Sequence, residues 1–309
     1  MIKSFEDIVG QSKLKKRLEF YIEAFTGGGV IPNLAFIAPK GCGKTKAAET
    51  LGIELFNLSK GVKNCHVINC STIKNVSGFV NQILIPHVVD KQCTLILDEA
   101  SELPKDVTMF MLSMLNPNQH QANHVVYDDY NIDIIFRDHT FVLSTSESHR
   151  VFPPLLDRCT RVELEEYTCD DIAKIILKQG VKITDDALPK VSSVCRGNAR
   201  SAVEISQEIA RYQHAHPGVL TSKGWNLLCG IIGYLPLGLS NIELTLLKVL
   251  KDRPDGTSLT RIGACLGMTR EAVQKDLELF PAKLGLIEIT TGGRVLTPKG
   301  QQYLKELGV

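Results

Sequence analysis

The sequence lacks a surplus of charge of either sign. Lys and Arg total 35 against 34 Asp and Glu, a formal net charge of +1 over 309 residues. That excludes a generally basic coat, so any nucleic-acid contact has to be a local patch. No stretch of about 18 consecutive apolar residues occurs, and no membrane span or membrane partner is expected. The opening residues, Met1-Ile2-Lys3-Ser4-Phe5-Glu6-Asp7, contain no apolar signal segment, which points to a cytoplasmic protein. The nine cysteines include no C-x-x-C pair. Cys93, Cys229 and Cys265 sit in apolar runs and are expected to be buried reduced thiols, with no zinc site. Internal repeats and low-complexity tracts are also missing. The length suits two or three domains.

What is present is ordered along the chain. Between 33 and 145, short apolar runs alternate with helical stretches. The runs are Leu34–Ala38, His66–Asn69, Thr94–Asp98 and Thr140–Thr145. Runs of this length between polar loops suit strands buried on both faces, and intervening helices imply a parallel sheet. From Thr168 to about Gln213 the pattern is helical. Thr168 with Asp171 predicts an acidic capping box, and Gly180 and Gly197 predict helix stops. Gly233–Leu239 looks like a linker. The tail then predicts helices over 241–251, 258–266 and 269–284, and a hairpin of Ile287–Thr290 with Arg294–Leu296. Gly267 ends one of these helices and Thr269 caps the next, the spacing of a helix-turn-helix.

Two segments carry chemistry. The first is Ala38-Pro39-Lys40-Gly41-Cys42-Gly43-Lys44-Thr45, close to the phosphate-loop pattern G-x-x-x-x-G-K-[ST], with Ala38 in place of the first glycine. Its glycines let backbone N–H groups wrap an anion, and the helix that follows adds its positive end. Lys44 is expected to reach the β- and γ-phosphates of ATP, and Thr45 to hold Mg2+. The second is Thr94-Leu95-Ile96-Leu97-Asp98-Glu99. Its apolar strand delivers two carboxylates to the edge of the sheet where α/β proteins bind ligands. Asp98 is expected to orient Mg2+ and Glu99 to polarise the attacking water.

With both motifs placed, the chain resembles the AAA+ class and, within it, the RuvB family of Holliday-junction branch-migration ATPases. Phe5-Glu6-Asp7-Ile8-Val9-Gly10-Gln11 is similar to the family's opening box, which implies that Val9 and Gly10 lie against the adenine. The resemblance assigns nucleotide contacts to Pro39, Lys40, Gly41, Cys42, Gly43, Lys44, Thr45 and Lys46, and places Tyr167 near the base. Thr145 falls at the sensor 1 position. Pro154-Leu155-Leu156-Asp157-Arg158 resembles the arginine-finger segment, which implies that Arg158 enters a neighbouring subunit's site. Arg196-Gly197-Asn198-Ala199-Arg200 resembles the sensor 2 segment, with Arg200 as the γ-phosphate contact. A homo-oligomer, a hexameric ring, is implied.

At the carboxy-terminal end, Arg294 matches a family arginine placed on DNA phosphate, while the family's other wing arginine is Ile289 here. Arg270, Lys275 and Lys299 add local positive charge. Contacts of this kind hold double-stranded or four-way junction DNA without sequence preference. The family also carries a hairpin whose apolar tip docks on a RuvA-type partner. The matching stretch, His124–Phe136, has Tyr127-Asp128-Asp129-Tyr130 at its centre. A charged tip is poor material for a hydrophobic dock.

The fold expected is therefore α/β: a parallel-sheet AAA+ ATPase core over 1–167, a small helical lid over 168–236 and a winged helix over 237–309. The expected activity is ATP-driven movement of DNA junctions. A clamp-loader-like or helicase-loader-like switch is the alternative, because Leu155-Leu156 followed by Arg158-Cys159 also resembles the clamp-loader arginine segment.

Overall fold

A computed structural model describes residues 3–309, with side chains from Phe5 onward. Among these residues no helix is long and apolar enough to cross a membrane. The chain divides into two compact units. One comprises the chain through Val181 together with Gly197–Gln207, and the other comprises Lys182–Arg196 together with Glu208–Val309.

The first unit contains strands β1 (Leu34–Ile37), β2 (Asn64–Asn69), β3 (Cys93–Asp98), β4 (Ala122–Tyr127), β5 (Tyr130–Ile135), β6 (His139–Thr145) and β7 (Thr160–Glu163). Five of them form a parallel sheet in the order β2-β3-β6-β1-β7. Every residue of β6 is buried, as is all of β3 except Asp98 at its end. Period-two alternation then feeds two cores, one on each face. Leu95, Leu97, Phe141 and Leu143 pack with Phe79 and Met111. Ile96 and Val142 pack with Leu18, Phe36, Leu51 and Leu55 on the other side. Each such side chain contributes about 2 kcal/mol by leaving water. The apolar runs of β3 and β6 therefore have a direct physical meaning, since both faces of these strands are covered, whereas the run His66–Asn69, expected to be buried on both faces, lies in the edge strand β2 and is half-exposed, with Val67 open to solvent.

Strand β7 was not expected. Its Thr160-Arg161-Val162-Glu163 has one apolar residue, and it exists because β1 offers a free edge to pair with. Strands β4 and β5 form an antiparallel hairpin outside the sheet, with Tyr127 opposite Tyr130. Val125, Ile132 and Ile134 tie it to the core, while Asp128 and Asp129 are exposed at the tip.

In the second unit the helices Asn241–Lys251 and Leu259–Leu266 precede a broken helix over 270–283, strands β8 (Ile287–Thr290) and β9 (Gly293–Leu296), and the helix Pro298–Glu306. The terminal helix was not expected. The turn chemistry between the second and third helices is as the sequence implied. Gly267 is left-handed at φ 67°, and the Thr269 hydroxyl accepts from the Ala272 N–H. The predicted continuous helix over 269–284 is instead interrupted by a π-turn at Val273–Leu277. Pro281 lies four residues past Leu277 and has no N–H to give its carbonyl, so the regular ladder cannot continue there.

The Thr168–Asp171 capping box is present in the first unit. One expectation about cysteine needs correction. Cys93 is buried, but Cys229 is only half-buried and Cys265 is exposed, its sulfur accepting from Arg253. An apolar neighbourhood in sequence does not say which face of a helix a residue takes.

Candidate nucleotide site and winged helix

The Ala38–Thr45 loop connects β1 to the helix Lys44–Leu58. Gly41 and Gly43 take φ of 80° and 85°, a left-handed path that turns the backbone around an open centre. At Gly41 there is a second reason for glycine. A Cβ there would come within 2.0 Å of Asn198 Oδ1. Asn198 Nδ2 donates to the Lys40 carbonyl at 3.2 Å, and the Ala199 N–H donates to the Gly41 carbonyl at 3.0 Å. Asn198 Oδ1 also accepts from the Arg200 and Ser201 N–H groups, so the start of the helix Ala199–Ala215 is fixed against the loop.

Lys44 is buried and its ammonium is satisfied internally, by the carbonyls of Ala38 at 2.8 Å and Pro39 at 3.1 Å. Burial lowers its pKa, opposed by the carboxylates of Glu99 and Asp98. Thr45 Oγ1 donates to Asp98 Oδ2 at 3.0 Å. Asp98 Oδ1 accepts from the Ser144 hydroxyl and from the Glu99 N–H at 3.1 Å. Glu99 takes a left-handed φ of 53°, an uncommon conformation for a residue with a side chain. Such strain is characteristic of residues at functional sites.

These groups line a cavity of about 610 Å3. Of the residues expected from the sequence, Val9, Lys40, Gly41, Gly43, Lys44, Thr45, Lys46, Asp98, Glu99, Tyr167 and Arg200 line it. Burial raises the Tyr167 pKa. Gly10, Pro39, Cys42, Thr145 and Arg158 are not among the lining residues. Pro39 supplies the carbonyl that holds Lys44, and Cys42 is buried in the loop. Arg158 is half-buried, its guanidinium donating to the carbonyls of Leu112 at 3.0 Å and Pro154 at 2.8 Å.

Thr145, expected at the sensor 1 position, stands at the end of β6 beside Ser144. The Thr145 hydroxyl accepts from the Glu147 N–H at 3.0 Å and so closes the turn after β6. It is Ser144 that touches Asp98, because these two are register partners on neighbouring strands and share a face. The register was the signal that could have found it. Sequence reasoning also missed Ile175, Lys178, Gln179, Val203 and Glu204, which complete the cavity wall. Lys178 donates to the Asp7 carbonyl at 3.1 Å and so ties the opening box to the lid helix Cys169–Lys178. No motif marks a lysine on an ordinary amphipathic helix.

In the wing, Arg294 does not present a free fork to solvent. Its Nε and Nη2 donate to the two carboxylate oxygens of Glu278, at 2.6 and 2.9 Å. The two side chains are only 14% and 3% exposed. This pairing raises the Arg294 pKa. Arg270 and Lys275 are exposed, as is Ile289 where the family has its other arginine. Lys299 is exposed and donates to the Leu284 carbonyl at 2.7 Å.

A parallel sheet in this order, with a phosphate loop after β1 and Asp98-Glu99 at the end of β3, is the AAA+ ATPase fold, and residues 241–306 add a winged helix. The nearer likeness is to RuvB. Residues 236–305 match the RuvB C-terminal winged helix domain. The Holliday junction branch migration complex subunit RuvB of Campylobacter hominis is 24% identical over 97% of this chain and 88% of its own length. That of Fusobacterium nucleatum is 23% identical over 99% of this chain and 93% of its own. The solved Thermotoga maritima RuvB Holliday junction branch migration motor superposes with a TM-score of 0.74 at 23% identity, covering 97% of this chain and 96% of that one. The chain resembles RuvB over nearly its whole length, at 23–24% identity to these proteins.

Proposed function

We propose that this chain is an ATP-hydrolysing motor that drives Holliday-junction branch migration in DNA recombination and repair. The observation that carries the proposal is the Thr45–Asp98 hydrogen bond inside the phosphate-loop cavity, in a chain that ends in a RuvB-type winged helix. Loop, hydroxyl and paired carboxylates together suit a nucleoside triphosphate and Mg2+. Thr45 and Asp98 are the residues to hold the cation, which would neutralise charge on the phosphates.

Binding draws Lys44 from the Ala38 and Pro39 carbonyls onto the phosphates. Glu99 takes the proton of the attacking water, a role that contributes typically 10²- to 10⁴-fold. Ser144 holds Asp98 in place. Arg200 contacts the γ-phosphate of its own chain. Arg158 serves the neighbouring subunit's site in a homo-oligomeric ring, a hexamer. The working parts are the ATPase core 1–167, the lid 168–236 and the DNA-holding winged helix 237–309. Arg270 and Lys275 are the phosphate contacts we favour, because their charges are exposed. The exposed Asp128-Asp129 tip favours a polar mode of engagement with any RuvA-type partner, and the site of action is the cytoplasm.

The test is ATP turnover and strand movement with duplex and with four-way junction DNA, alone and with a RuvA-type protein. Junction-dependent movement that stops when Mg2+ is chelated is expected. Stimulation only by a sliding clamp or a replicative helicase would overturn the proposal in favour of a loader-like switch.

A further inference from the structure

Arg196 stands four residues before Arg200, yet it serves a different part of the molecule. Its backbone is left-handed, φ 55°, so its side-chain contacts have to hold an uncommon conformation. Each nitrogen of the guanidinium makes a hydrogen bond. Nη1 and Nη2 meet the two carboxylate oxygens of Glu243 at 3.0 and 2.5 Å. Nε donates to the Gly238 carbonyl at 2.7 Å, and Nη2 reaches the same carbonyl. The Phe280 ring lies against it, 4.0 Å from the guanidinium carbon. A planar, always-charged fork with an aromatic face beneath it is a task that lysine cannot perform.

The partners matter more than their number. Glu243 has a side chain only 3% exposed and closes the capping box of the helix Asn241–Lys251, accepting from the Ser240 N–H at 2.7 Å. Phe280 belongs to the last segment of the helix-turn-helix, Leu279–Lys283. Gly238 is the linker, and a Cβ there would lie 2.5 Å from the Val194 carbonyl oxygen, so its backbone is pressed against the end of the helix Leu188–Val194. One arginine thus joins the lid segment Lys182–Arg196 to the linker and to two helices of the winged helix, all within the same compact unit.

We propose that Arg196 is the positioning residue that couples DNA held by the winged helix to ATP turnover. It acts through Glu243 and never touches nucleotide. Fastened in this way, the lid segment and the winged helix move as one piece. The chain that carries Arg196 continues directly to Arg200 at the nucleotide cavity. This inference rests on the reading of the chain as a DNA-driven ATPase.

The experiment compares wild type with Arg196→Lys, which keeps the charge but loses the fork, and with Glu243→Gln, which keeps the capping-box geometry but loses the ion pair. Turnover is measured with and without junction DNA, DNA binding by fluorescence anisotropy, and folding by thermal melting. Basal kcat and KM, and DNA affinity without nucleotide, are expected to stay near wild type. Stimulation by DNA is expected to fall about tenfold, and the effect of a non-hydrolysable ATP analogue on DNA affinity is expected to shrink together with the effect of DNA on affinity for that analogue, these two binding effects being linked. The double variant should be no worse than either single one, because both break the same contact. Wild type without DNA stimulation overturns the motor reading itself, and this inference with it. Wild type stimulated, with both folded variants stimulated equally, overturns the coupling alone. A parallel loss of basal and stimulated turnover also overturns it, since that marks general damage. Should Arg196→Lys not fold, Glu243→Gln decides between these outcomes.

Discussion

The nucleotide end of the sheet and the wing treat their charged residues in opposite ways. At the sheet edge, Thr45, Asp98 and Ser144 bond to one another around an open cavity, and Lys44 is held only by carbonyls of its own loop, which a better acceptor can replace. In the wing, Arg294 is spent internally on Glu278. Both regions carry a basic residue where the family pattern puts one. The difference is the partner: a neutral carbonyl releases a cation readily, whereas a desolvated carboxylate does not, because leaving it buried and unpaired is costly. A motif position therefore identifies a residue type, and the partners determine whether the group is available.

Several changes would break or sharpen this contrast. The largest effect is expected at Arg158. Arg158→Ala should lower turnover about 10⁴-fold with nucleotide binding intact, the scale of an arginine lent to phosphoryl transfer. Subunit-mixing titrations check it: a poisoned ring gives a steeper loss than dilution, and simple dilution rules out a contribution between subunits. Glu99→Gln should lower hydrolysis about 10³-fold and leave ATP bound, as a filter-binding assay would show.

In the wing the expected loss is of stability. Arg294→Ala strands the Glu278 carboxylate and should cost about 3 kcal/mol, while Arg294→Met with Glu278→Leu should restore most of it. Thermal melting reads this directly. The contrast breaks if Arg294→Ala melts like wild type and instead reduces the salt dependence of DNA binding by about one phosphate contact. Ser144→Ala should lower turnover about tenfold, from loss of a hydrogen bond to a charged group, and more than Thr145→Ala does. Equal effects would show that the Ser144–Asp98 bond adds nothing beyond what Thr145 supplies. Smallest of all, Thr269→Ala should cost about 1 kcal/mol of melting stability through its helix cap and leave turnover alone.

The parts of the fold that were legible share a cause. Central strands such as β3 and β6 are buried on both faces, so their apolar runs have no ambiguity. The Thr168 box and the Gly267–Thr269 turn are local hydrogen-bond chemistry, written within three or four residues. Strand β7 was invisible because its stability comes from pairing with β1, more than a hundred residues earlier. The exposure of Cys265 escaped for a related reason, since it depends on which face its helix turns to its surroundings, whereas the π-turn before Pro281 has a local cause that the apolar periodicity of 269–284 concealed.

For the site, the sequence by itself determined the phosphate loop, the acidic pair and the winged-helix segment, because each is a short run whose chemistry needs those residue types at that spacing. Only the tertiary structure decided that Ser144 rather than Thr145 meets Asp98, that Asn198 holds Lys40 and Ala199 holds Gly41, that Lys178 ties down the opening box, and that Arg196 and Arg294 are committed to buried carboxylates. These are pairings between residues distant in the chain. Strand register and helix packing bring them together, and neither is encoded in the neighbourhood of any one residue.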